Sequence, residues 1–88
     1  MASGGADLAA YRRAFGQRVQ DLRAERGISQ ENLALTTRTA RSYLSAIERG
    51  LRGPGLDVVV RLAAGLEVQP ADLMPDLCKS RGGQTRRR

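Results

Sequence analysis

Histidine and tryptophan are absent from these 88 residues, and cysteine occurs once, at Cys78. A single thiol excludes an internal disulfide. The common zinc sites, built from several Cys and His ligands, cannot be assembled. General-base catalysis loses its most frequent agent. Nine acidic residues remain, but they fall at ordinary helix-surface spacings and form no carboxylate pair. The expectation is therefore that the chain is not an enzyme and uses no metal and no cofactor. Aromatic side chains are limited to Tyr11, Phe15 and Tyr43, so a core must be built from Leu, Val, Ile and Ala. No apolar run approaches the roughly 18 residues of a membrane span. The opening MASGGAD has neither the basic nor the apolar segment of a secretion signal. A soluble, cytoplasmic protein without a membrane partner is expected.

What is present is enough for one small domain: 41% hydrophobic residues in a chain too short for two cores. The net charge is +6, and it is unevenly placed. Residues 79–88 hold Lys79, Arg81, Arg86, Arg87 and Arg88 and no acid, whereas residues 1–78 are within one charge of neutral. Inside the neutral part, Arg38, Arg41, Arg49 and Arg52 face only Glu48 along residues 38–52. Fourteen of the fifteen basic residues are Arg. Phosphate recognition by a planar guanidinium fork accounts for that preference, and so does a genome rich in G and C. Composition leaves both open.

Periodicity predicts helices only. Residues 1–6 are small and Gly-rich and are expected to be disordered. Asp7 can cap a first helix over 7–26, whose stripe of Leu8, Tyr11, Phe15, Val19 and Leu22 recurs every three to four residues. Gly16 weakens its middle and Gly27 stops it. Ser29 is a natural cap for a second helix, with Gln30 and Glu31 in its first turn and Leu33 and Ala34 pointing inward. That helix is expected to end near Thr36, with 36–39 as a turn. Thr39 can cap a third helix over 40–49, faced inward by Tyr43, Leu44 and Ile47 and closed by Gly50. Gly53, Pro54 and Gly55 mark a loop. A fourth helix over 56–66 is apolar on more than one face, so it is either fully buried or meets a partner. Pro70 suits the first position of a fifth helix carrying Leu73, Met74 and Leu77, which Pro75 should end or kink. After Cys78 no apolar residue remains, and 79–88 reads as a disordered basic tail. The expected architecture is all-α: five short helices over 7–78.

Residues 30–50 carry the functional signal. Helix, tight turn and helix is the arrangement that presents a second helix to the DNA major groove. The third helix would offer Arg41, Ser42, Ser45 and Ala46 outward, side chains that are short or bidentate. Arg–guanine pairing is the commonest specific contact in that groove.

Three stretches, FGQRVQDLRAERGISQENLA, RSYLSAIERG and GPGLDVVVRLAAGLEVQPADLM, resemble the Cro/phage-repressor (XRE) type of helix-turn-helix domain. Over residues 15–74 they show, in order, a Gln opening the second helix, an Ala within it, a hydrophobic–Ser–x–x–Glu–x–Gly close to the third, and a leucine-rich fourth helix followed by Val and Pro. The resemblance implies a five-helix, lambda-repressor-like fold and a homodimer on double-stranded DNA, regulating transcription at a near-palindromic operator. Arg41, Ser42, Ser45 and Ala46 would read bases. Gln30, Arg38, Thr39, Tyr43, Arg49 and Arg52 would contact phosphates. Arg23 and Glu48 match a structural ion pair. Val58, Leu73 and Leu77 are the expected dimer face. RSYLSAIERG also resembles the short controller proteins of restriction–modification systems.

Two positions depart from the pattern. The turn usually carries Gly but here has Arg38, which either adopts a left-handed backbone or remodels the turn. Thr39 replaces a buried aliphatic residue and brings a hydroxyl that needs a partner. The basic tail either adds non-specific DNA affinity or is a solvated end. An antitoxin-like or adaptor protein, whose domain mainly grips a protein partner, is the competing reading; RNA polymerase or another protein is a further candidate partner.

Overall fold

The computed structural model describes residues 7–75. It contains five helices: α1 (Leu8–Arg26), α2 (Gln30–Thr37), α3 (Arg41–Glu48), α4 (Leu56–Leu66) and α5 (Pro70–Leu73). No strand occurs among the described residues. Leu77, Cys78, the 1–6 segment and the basic tail lie outside them.

The helix ends follow the sequence. The Asp7 carboxylate accepts the Ala10 amide at 3.0 Å, and the Ser29 hydroxyl accepts the Asn32 amide at 3.0 Å, each satisfying an otherwise orphaned donor. The first four helices all close on a left-handed residue, with the next amide reaching back to the last turn. Gly27 and Gly50 supply that residue after α1 and α3. Arg38 and Glu67 supply it after α2 and α4, at φ 56° and 61°, where a Cβ makes the conformation costly.

One core is shared by all five helices. Phe15, Val19 and Leu22 of α1, Leu33 and Ala34 of α2, Leu44 and Ile47 of α3, and Leu62, Ala63 and Leu66 of α4 are buried together. The α1 stripe begins at Phe15. Leu8, expected on it, lies beyond the core and is exposed. Gly16 is more than a weak point in the helix. A Cβ there would sit 2.3 Å from the Ile47 carbonyl oxygen, so its absence lets α1 cross the end of α3. The Gln20 amide then donates to the Glu48 carbonyl at 2.7 Å and fixes the crossing.

Three expectations need correction here. Val58 and Leu73, assigned to a dimer face, are buried in the protomer's own core. A side chain already out of water has no area left to give a second copy. The fifth helix is shorter than expected: α5 ends at Leu73, Met74 is extended and Pro75 follows; Leu77 lies outside the described residues. A four-residue helix has no stability of its own. Burial of Leu73, about 1.5–3 kcal/mol, and the bond from Arg18 Nε to the Asp72 carbonyl at 2.8 Å hold it to the bundle. The second apolar face of α4 does exist, but it consists of Leu56 and Val60, which are exposed.

Candidate nucleic-acid interface

Residues 38–40 join α2 to α3, and α3 begins one residue later than expected. Arg38 keeps the turn rather than remodelling it: at φ 56°, ψ 42° it occupies the place of the usual Gly. Its amide donates to the Leu35 carbonyl at 3.3 Å, and the Thr39 amide to Ala34 at 2.9 Å. The left-handed conformation costs a residue with a Cβ about 1–2 kcal/mol. Thr39 does not cap α3; Ala40 stands there, with no side-chain bond. Nor is Thr39 placed to touch phosphate. It is buried, and its hydroxyl lies 3.0 Å from that of Thr37, which in turn donates to the Leu33 carbonyl at 2.7 Å. The partner this hydroxyl required is thus internal.

α3 is sharply two-sided. Leu44, Ile47 and Glu48 are buried, while Arg41, Ser42 and Arg49 are exposed and Ser45 and Ala46 half-buried. Positions 41, 42, 45 and 46 share one side of a helix, so the four expected base-reading residues are brought together.

Behind this face a polar network runs from the core to the surface. Arg23 meets Glu48 through two bonds, Nε to Oε2 at 2.7 Å and Nη2 to Oε1 at 2.8 Å, and also donates to the Ile28 carbonyl at 2.9 Å. The Glu48 side chain is only 3% exposed, so the pair is shielded from screening. The hydrogen bond to Glu48 raises the Arg23 pKa above its ordinary value against the opposing effect of burial. Gln30 Nε2 donates to the same Glu48 Oε1 at 3.1 Å, and Arg41 Nε points to Gln30 Oε1 at 3.4 Å. Both polar ends of Gln30 are therefore engaged within the protein. The geometry makes it a bridge that orients Arg41; its second amide hydrogen is not used in these bonds and is compatible with the expected phosphate contact.

Basic groups gather at the far end of α3. Arg49 is exposed, its Nε 3.4 Å from the Ser45 carbonyl. The Arg52 guanidinium stacks over the Tyr43 ring, 5.3 Å from its centroid. Tyr43 is half-buried and its hydroxyl donates to the Gly53 carbonyl at 3.3 Å, so it ties α3 to the following loop. Arg13 packs its stem against Gly50, and Arg12 lies beside Gly53. These two α1 arginines join Arg49 and Arg52 around the loop; no short-range pattern in the sequence links them to it. Arg61 of α4 likewise carries no local signal in the sequence. Its Nε donates to the Thr37 carbonyl at 2.8 Å and its Nη1 to Asp57 at 3.1 Å. The latter bond holds the Asp57 carboxyl below the usual carboxylate range.

Two helices joined by a three-residue turn, the second packed on one side and free on the other, define a helix-turn-helix protein. The sequence profile of a helix-turn-helix family, HTH_3, matches residues 19–73. Control protein C.BamHI of Bacillus amyloliquefaciens is 43% identical over 61 residues, covering 68% of this chain and 75% of that protein. The restriction–modification controller protein C.AhdI of Aeromonas hydrophila superposes with a TM-score of 0.70 at 40% identity, covering 72% of this chain and 96% of that one. The regulator SinR of Bacillus subtilis is 37% identical over 63 residues, 70% of this chain and 57% of SinR. SinR solved in complex with DNA gives a TM-score of 0.65 at 38% identity, covering 67% of this chain and 95% of that one. The chain belongs to this helix-turn-helix family. The resemblance to restriction–modification controllers drawn from RSYLSAIERG agrees with two of these relatives.

Proposed function

We propose that the protein is a sequence-specific DNA-binding regulator of transcription that acts as a homodimer. The observation that carries this reading is the α3 face: Arg41, Ser42, Ser45 and Ala46 project from a helix whose other side is locked into the core. The major groove, roughly 12 Å wide, admits such a helix. Arg41 is the principal reader. Its side chain is 61% exposed, its Nε is directed by Gln30, and its Nη1 lies 4.0 Å from the exposed Glu31 carboxylate, a loose surface ion pair that a bidentate contact with guanine would replace. Ser42 and Ser45 offer short hydroxyls, and Ala46 a methyl contact. Arg38, Arg49 and Arg52, with Arg12 and Arg13 beside the loop, would follow the phosphate backbone and set register without reading sequence. The relatives support the assignment: SinR is a regulator solved on DNA, and the controller proteins share the fold.

For the dimer, exposed apolar residues around α4 are the available surface. Leu56 and Val60 stand outward on α4, and Leu8 and Met74 flank a groove of about 340 Å³ that Tyr11, Phe15, Pro54 and Val59 also line. No helix among the described residues is long and apolar enough to cross a membrane, in keeping with action on DNA in the cytoplasm.

The test is Arg41→Ala. Affinity for a duplex selected by the wild-type protein should fall by about 1–3 kcal/mol, with preference relaxed at one base pair. An equal loss on unrelated duplexes would remove Arg41 from the readout.

A further inference from the structure

We propose that Arg61 is a positioning residue for the recognition helix: from α4 it holds the left-handed turn that aims α3, in place of a glycine at position 38. The inference rests on the DNA-binding reading for its consequence, but not for its geometry.

The Thr37 carbonyl belongs to the peptide plane between Thr37 and Arg38. Because that plane is rigid, holding the carbonyl fixes the peptide plane on one side of Arg38; the Thr39 amide, bonded to the Ala34 carbonyl at 2.9 Å, holds the plane on the other side, and between the two φ of Arg38 is kept positive, at 56°. Arg61 Nε takes this carbonyl at 2.8 Å. Its guanidinium is itself oriented by Asp57, one helical turn earlier on α4, at 3.1 Å. It also places a positive charge at the C-terminal end of α2, where the helix dipole favours one.

A second contact on α4 grips the same residue. A Cβ on Gly65 would lie 2.6 Å from Thr37 Cγ2 and 3.1 Å from Leu33 Cδ1, so the last turn of α2 rests directly on α4. Thr37 is thus held by its carbonyl through Arg61 and by its methyl group over Gly65. Four residues later α3 begins. A glycine at 38 would adopt φ above zero without help, whereas an arginine relaxes toward negative φ and swings α3 unless the preceding carbonyl is pinned. Arg61 is absent from the α3 face, so its effect on binding would pass through the direction of that helix.

Two measurements test this. In the free protein, Arg61→Met should speed hydrogen exchange at the Arg38 and Thr39 amides by about tenfold while core α4 amides keep their rates. Unchanged protection at those two amides would overturn the proposal. On DNA, the ratio of affinities for a duplex selected by the wild-type protein and for a shuffled duplex should fall about tenfold in Arg61→Met, the size of one lost base contact. Arg61→Lys, which keeps one donor and the charge, should fall less. In an Arg38→Gly background Arg61→Met should change the ratio by no more than about twofold, because glycine needs no pin. The ratio isolates aim from phosphate contacts, which act on both duplexes alike, and from stability, which does not alter discrimination by folded protein. Equal falls in both backgrounds would show that Arg61 does not act through the turn. Failure of the wild-type protein to select any duplex would defeat the DNA reading and leave the exchange result to decide on the brace.

Discussion

Three residues decide how Arg41 is presented, and only one of them touches it. Arg23 neutralises the buried Glu48; Glu48 accepts the Gln30 amide; Gln30 faces Arg41. Removing one member of a buried pair leaves an uncompensated charge, which typically costs 3–5 kcal/mol, whereas replacing both can be close to neutral. Arg23→Met is therefore expected to destabilise the protein by about 3 kcal/mol, and Arg23→Met with Glu48→Leu to recover most of that loss, as read from urea unfolding. Additive losses would mean the pair is not the unit. At this scale the sequence was legible where a residue works beside its neighbours. Arg41 and Ser42 lie at the start of a short helix, and their outward side follows from Leu44 and Ile47 facing in. The internal role of Gln30 was not readable because its partner, Glu48, lies eighteen positions away and no local spacing joins them. Arg12, Arg13 and Arg61 escaped notice for the same reason.

At the scale of the element, several helix ends were plain, the start of α3 and the end of α5 were not, and helix faces were less plain. Asp7, Ser29, Gly27, Gly50 and Pro70 mark ends by local chemistry. The phase of α4 was not readable, because Val58, Val59 and Val60 are equivalent in sequence. The structure turns Val58 and Val59 inward and leaves Val60 with Leu56 in solvent. Glycines show the same limit. Gly16 reads as a weak helix position, yet it is a crossing point defined by the Ile47 carbonyl of another helix. Gly16→Ala raises local helix propensity but forces a methyl against backbone, and should destabilise by about 2 kcal/mol. Glu67→Gly lowers propensity but relieves a left-handed residue, and should stabilise by up to about 1 kcal/mol. Denaturation midpoints that moved together for the two variants would contradict this account of the turns.

For the whole molecule, the net charge sits almost entirely in the basic 79–88 segment, while residues 1–78 are near neutral. The domain supplies aim and discrimination from a few arginines around α3. The two copies of the proposed homodimer would supply the two-fold symmetry of an operator. The exposed positions Leu56 and Val60 offer a clean test of where they meet. Leu56→Asp with Val60→Asp leaves the core intact, so the variant should remain folded by circular dichroism and sediment as a monomer. A folded dimer at the same concentration would place the contact elsewhere, with the groove between Leu8 and Met74 as the next surface to probe.

Selection of duplexes from a random pool by the purified protein, followed by sequencing, tests the central claim most directly. The account predicts enrichment of a near-palindrome whose half-sites lie about 10–10.5 base pairs apart, or a multiple of that spacing, with one guanine position in each half lost when Arg41 is replaced by Ala. A pool that stays random after repeated rounds, with binding that depends only on salt, would contradict it.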